Sequence, residues 1–177
     1  MVDDWSLYAP FIQTYQQTML RLEADPYYRF STDYFQDLRL ALGSHLHLFS
    51  VLAPDGTMAA AGLFMEAEGI FEYHLSGTAH HYRHLAPTKL MLDVAIKWAK
   101  AAGNRVLHLG GGLGSRNDAL FQFKAGFSDL RSSFQTWRVI CDEARYLKLI
   151  EDAGVFGASV DGFFPAYGTC KGFVPSK

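Results

Sequence analysis

Ile70-Phe71-Glu72-Tyr73-His74-Leu75-Ser76-Gly77-Thr78-Ala79-His80-His81-Tyr82-Arg83-His84-Leu85-Ala86-Pro87-Thr88 runs from an alternating apolar segment through a polar loop into a proline. The period of two predicts a strand over residues 70–75, with Phe71, Tyr73 and Leu75 on one face and Glu72, His74 and Ser76 on the other. Pro87 suits the first turn of a helix, where its missing N–H would have no partner in any case. Leu90, Met91, Val94, Ala95, Trp98 and Ala102 follow, apolar almost all round, which predicts a deeply packed helix closed by Gly103.

Upstream of this unit, residues 45–53, a turn at Pro54-Asp55-Gly56 and residues 58–66 read as an antiparallel hairpin. Two amphipathic helices precede it. The first, over residues 6–24, carries Leu7, Phe11, Tyr15, Met19 and Leu22 and ends at Asp25-Pro26. The second, over residues 33–42, is capped by Ser31 or Thr32 and stopped by Gly43. Downstream come a short strand over 105–109, a glycine-rich turn, a helix over 118–124, a last strand over 134–141 and a helix over 143–151. This order predicts an α+β fold: a mixed, mainly antiparallel sheet with helices on both faces rather than a regular βαβ alternation.

A chain of 177 residues has room for one core, so a single domain over 1–177 is expected. Its parts are a helical N-terminal portion (6–42), a sheet core (45–142) and a C-terminal helix and tail (143–177). Apolar residues make up 49%, enough to fold without a partner. The formal net charge is -2, from 16 basic and 18 acidic residues, which excludes a broad positive field for DNA or anionic lipid. No stretch approaches the roughly 20 apolar residues of a membrane span, and no secretory leader is visible, so a cytoplasmic location is expected. Cys141 and Cys170 are too few and too far apart for a disulfide framework, which agrees with a reducing compartment.

Three places can carry chemistry. The loop from Ser76 to Thr88 leads from a strand end into a helix N-terminus, where free N–H groups and the helix dipole can hold a pyrophosphate, or it is an ordinary connection. Within it His80, His81 and His84 lie together, but without nearby cysteine or carboxylate partners no metal is expected. Val106-Leu107-His108-Leu109-Gly110-Gly111-Gly112-Leu113-Gly114 would suit a nucleotide or S-adenosylmethionine site, yet too little chain follows Gly114 to complete a doubly wound sheet. His74 and His108, in strands that can be neighbours, are either core histidines or a base facing a cleft, and Asp118 either caps its helix or orients a substrate amine.

Arg83-x-x-Ala86-x-Thr88 resembles the phosphate loop Gln/Arg-x-x-Gly-x-Gly/Ala of the GNAT acyltransferase superfamily, with both glycines replaced. A wider set of segments follows family order over residues 10–145: Tyr15-x-x-Thr18-Met19-x-Arg21, Tyr73 to Thr78, Leu85 to Thr88, His108 to Gly112, and Asp118-x-Leu120-Phe121-x-Phe123-Lys124-x-x-Phe127. Together they resemble the Fem-type branch, which includes aminoacyl-tRNA-dependent enzymes of peptidoglycan bridge synthesis and related acetyltransferase-like proteins.

The resemblance implies a GNAT-like sheet that moves an acyl group, expected to be acetyl from acetyl-CoA, onto a primary amine. That acceptor is a small molecule or a peptidoglycan precursor. An aminoacyl-tRNA donor and a catalytically inactive binding module are the alternatives, and pairing of two chains into a homodimer stays open because Fem bridge enzymes carry two such units. The resemblance puts Leu75, Ser76, Gly77, Thr78, Arg83, Leu85, Ala86, Pro87 and Thr88 at the donor. It makes Lys124 the leading catalytic group and sets Phe123 at the acceptor; the residues themselves add His74 and Asp118 as catalytic candidates and His108, Gly111 and Tyr167 as acceptor candidates. Family members often carry a tyrosine acid in the helix before Gly126-Phe127; the corresponding residue here is Gln122.

Overall fold

A computed structural model describes residues 1–155 and 162–169; Cys170, and Asp161 at the start of the aromatic tail, lie outside the described residues. The chain falls into two units, Met1–Asp129 and Leu130–Lys177.

In the first unit, α1 (Tyr8–Arg21) and α2 (Thr32–Leu42) precede the strands β1 (Leu46–Leu52), β2 (Met58–Ala67) and β3 (Ile70–Thr78). Ser31 caps α2 by accepting the Tyr34 N–H at 3.2 Å, and Gly43 ends it with φ +52°, a conformation that glycine adopts without steric cost. Gly56, at φ +82°, closes the turn between β1 and β2. The helix α3 (Pro87–Ala101) then leads to β4 (Val106–His108) and α4 (Ala119–Ala125). The sheet order is β1-β2-β3-β4, antiparallel except for the parallel pair β3 and β4. Among the described residues no helix is long and apolar enough to cross a membrane.

Two cores sandwich this sheet. Phe11 and Tyr15 of α1 and Phe35 of α2 close over Leu48 and Leu63 on one face, while Met91, Leu92 and Ala95 of α3 close over Phe49, Phe64 and Phe71 on the other. Each of these large side chains, fully out of water, stabilises the fold by about 1.5–3 kcal/mol. Asp3 ties the chain start to β1, accepting the Leu48 N–H and the His47 Nδ1–H, each at 2.9 Å.

Three sequence expectations are corrected. Leu75 does not share a face with Phe71 and Tyr73, because β3 bulges at His74: consecutive Leu63 and Phe64 of β2 face Leu75 and Tyr73. One extra residue inverts the alternation beyond it, so Leu75 packs under α1 while Tyr73 packs on the α3 side. The helix α3 is not buried all round; Leu90, Val94 and Ile96 are exposed, because only the stripe through Met91, Leu92, Ala95 and Ala99 meets the sheet. Residues 134–141 form no strand: Phe134 and Trp137 are exposed and the segment joins no ladder. Strand propensity alone does not make a strand of a segment that no neighbouring strand pairs.

In the second unit α5 (Glu143–Asp152) is capped by Asp142, which accepts the Arg145 N–H at 2.9 Å. Tyr146 of α5 lies 5.8 Å, centre to centre, from both Phe164 and Tyr167.

Candidate active site

The parallel pairing of β3 with β4 lasts three residues, Ile70 with Val106, Phe71 with Leu107 and Glu72 with His108. From Tyr73 to Thr78, β3 keeps β2 on one edge and, among the described residues, has no ladder on the other. The chain leaves β4 through Gly110, at φ +70°, into a tight turn. At Gly112 any side chain would collide with the Arg116 carbonyl and the Asp118 carboxylate, so this position requires glycine. Asp118 holds the turn and starts α4, accepting Leu113 N–H at 2.8 Å and Phe121 N–H at 2.9 Å. Those hydrogen bonds keep its carboxyl below the usual carboxylate range.

At this end of the seam α4 lowers Lys124 towards the sheet. Its Nζ donates to the Gly111 carbonyl at 2.9 Å and stands 5.7 Å from the centre of the Tyr73 ring, within cation–π reach. Burial lowers the Lys124 pKa, opposed by the charges of Asp118 and Glu72. The Tyr73 hydroxyl is hydrogen-bonded to the Ser76 hydroxyl, a pairing that the bulge makes possible by bringing both onto one face. Glu72 and His108 project side by side, carboxylate to Nδ1 3.6 Å, each about half exposed.

At the other end β3 runs into a short 3-10 turn, His80–Leu85, and then α3. Ala86 stands between them with φ +49° and ψ +49°, the left-handed conformation that favours glycine. The first turn of α3 has no side-chain cap, and Pro87 has no N–H to satisfy. Among the described residues no side chain caps the positive end of the helix dipole. Arg21, reaching from the end of α1, donates to the Thr78 carbonyl at 3.0 Å and feels the charge of Arg83; burial first, then that repulsion, lowers its pKa.

The family model described as acetyltransferase (GNAT) domain matches residues 3–124, from the chain start through both ends of this seam to Lys124. The chain belongs to the GNAT acetyltransferase family. No curated protein matches it. A variant of the BH1408 protein of Bacillus halodurans shares the fold at TM-score 0.57 and 11% identity, over 79% of this chain and 98% of that one. An aminoglycoside acetyltransferase from an uncultured soil metagenomic sample does so at TM-score 0.56 and 10% identity, over 80% and 99%.

Within this GNAT acetyltransferase domain the residues singled out from sequence separate into distinct groups. Lys124, Gly111, His108 and Asp118 gather at the mouth of the seam, although Asp118 spends both oxygens on backbone N–H groups and acts as a cap. Phe123 belongs to the core beside Phe127, their rings 5.4 Å apart. His74 turns to α2, its Nε2 3.2 Å from the Tyr34 hydroxyl, and burial lowers its pKa. Ser76, Thr78, Arg83, Ala86, Pro87 and Thr88 line the route from the seam to α3, and Leu85 is exposed on that loop. Leu75 is drawn into the α1 core, and Gly77 is pressed against the α1 backbone. The Thr78 N–H is not free: it donates to Thr18 Oγ1 at 3.0 Å. Tyr167 lies in the second unit.

Tyr73, Glu72 and Arg21 were not among the expected site residues. Tyr73 reads as one more apolar position in the alternation, and only the bulge pairs its hydroxyl with Ser76. Arg21 stands within the quoted Tyr15-x-x-Thr18-Met19-x-Arg21 segment, which was the available signal.

Proposed function

We propose that the chain transfers an acetyl group from acetyl-CoA to the nitrogen of a small primary amine. The observation that supports this reading is the seam itself: a strand edge that no described strand pairs from Tyr73 onward, joining a lysine-bearing mouth to a helix N-terminus that no described side chain caps, flanked by Arg21 and Arg83. Such an edge suits an extended amide-bearing arm, and the helix start suits a pyrophosphate. The left-handed Ala86 keeps the loop backbone in the shape a glycine would take, so the residues present fit this donor despite the replaced glycines.

Acetyl-CoA supplies an acyl carbon already activated as a thioester. Arg21, Arg83 and the first turn of α3 hold the phosphates, while Leu75 and Ser76 present backbone groups along the arm. Glu72 and His108 stand where an incoming ammonium would be drawn in and relieved of a proton, with the imidazole as base. Lys124 sets a positive charge beside the carbon whose oxygen becomes negative.

The test is thermal unfolding with acetyl-CoA, with S-adenosylmethionine as control, followed by thiol release with a panel of amines that includes amino sugars. Acetyl-CoA at about 100 times its dissociation constant adds roughly 2.7 kcal/mol and raises the midpoint by about 5–10 °C. Lys124→Ala should abolish thiol release. No shift and no release would favour an aminoacyl-tRNA donor of the Fem type or an inactive module.

A further inference from the structure

We infer that the Tyr73 hydroxyl is the proton donor to the departing thiolate, with Ser76 as the residue that positions it. The inference rests on the acetyl-transfer reading and adds to it a group for the step in which the carbon–sulfur bond breaks.

The geometry carries it. Tyr73 is the first residue of β3 beyond the last pair with β4, so its phenol stands where the strands part. The hydroxyl is fixed by the Ser76 hydroxyl on one side, and the Lys124 ammonium lies over its ring. On α4, Gln122 is exposed and donates to Asn117 at 2.5 Å, and Lys124 gives one N–H to the Gly111 carbonyl while its charge stays over the Tyr73 ring. Burial raises the Tyr73 pKa, with the Ser76 hydrogen bond opposing, so the phenol stays protonated through the neutral range.

The balance is complete without a further reactant. The amine nitrogen forms the new bond to the acyl carbon, the carbon–sulfur pair leaves with sulfur, and the Tyr73 proton passes to sulfur. The proton that the nitrogen gives up goes to the Glu72–His108 pair and on to water, and the phenolate, stabilised by Lys124, takes one back from water.

The experiment uses the full chain and the amine that gives the fastest thiol release, with acetyl-CoA affinity measured by calorimetry. Tyr73→Phe should lower kcat by about 10²-fold while the acetyl-CoA dissociation constant stays within about threefold. A ring-fluorinated tyrosine at position 73, whose hydroxyl is more acidic, should move the alkaline decline of kcat to lower pH, which a packing role would not do. Ser76→Ala should move that decline to higher pH, since its hydrogen bond lowers the phenol pKa. A kcat for Tyr73→Phe within about twofold of wild type, or an unmoved decline in the fluorinated chain, overturns the inference alone. A wild-type chain that neither binds acetyl-CoA nor releases thiol overturns the acetyl-transfer reading and the inference with it.

Discussion

The hydroxyls of Thr78 and Thr88 meet at 2.7 Å, tying the last residue of β3 to the first turn of α3 across the loop that carries Arg83 and Ala86. Thr78 is anchored a second time through Thr18, which accepts its N–H and donates to its carbonyl at 3.2 Å. The donor loop is thus held by side chains at both of its ends. Thr88→Val removes one tie and leaves the Thr78 hydroxyl unpaired, at a cost of about 1 kcal/mol. Urea unfolding should show that loss, and calorimetry should show weaker binding of acetyl-CoA; unchanged affinity would mean the tie has no part in donor binding.

Ala86 pays a conformational cost that glycine would not. Ala86→Gly should stabilise the chain by about 0.5–1 kcal/mol, the left-handed strain relieved being partly offset by the greater freedom of glycine when unfolded. The urea midpoint should rise with an unchanged slope. A lower midpoint would mean that the alanine methyl has a packing role outweighing the strain.

Gly77 marks the closest approach of β3 to α1. A Cβ there would stand 2.7 Å from the backbone of Thr14 and Tyr15, atoms that cannot turn aside. Gly77→Ala should therefore destabilise by about 2–3 kcal/mol, read as a drop in the urea midpoint.

Stability should fall on the alkaline side. Burial pushes the Tyr8 hydroxyl from its ordinary value of 10.0 up to about 12, and that of Tyr15 upward as well. Both donate to backbone carbonyls, Tyr8 to Phe35 at 2.6 Å and Tyr15 to Tyr28 at 2.7 Å. With the folded pKa raised, the unfolded chain loses these protons first. The contribution is whole below pH 10 and disappears as the pH rises through the folded values. Urea unfolding at pH 8 and at increasing pH above 10 should show the decline, and Tyr8→Phe should make it shallower.

Much of the first unit was legible because its signals are local. Ser31 and Asp118 as caps, Gly43 as a stop and Gly56 in the hairpin turn act within a few residues of their own positions, so their meaning survives without knowledge of the rest of the chain. The order of helices and strands, the sheet with helices on both faces and the loop entering α3 all follow from such signals. Residues 134–141 show the limit of the same reasoning, since alternating apolar residues make a strand only beside another strand.

The site is a different matter. Lys124, Gly111, His108 and the loop around Arg83 could be named from sequence, but their relation could not. A single bulge at His74 moves Leu75 to the opposite face and brings Tyr73 to Ser76, and nothing in the alternation from Phe71 to Leu75 announces it. The parting of β3 from β4 after Glu72 depends on where the glycine turn beyond His108 carries the chain, and the proximity of Arg21 to Arg83 depends on α1 crossing β3 at Gly77. Sequence by itself determined the elements and their punctuation, because backbone preference and hydrophobic period act over a few residues. Only the tertiary structure decided which side chains share a face and which edge stays open, because register and strand pairing are settled between segments far apart in the chain.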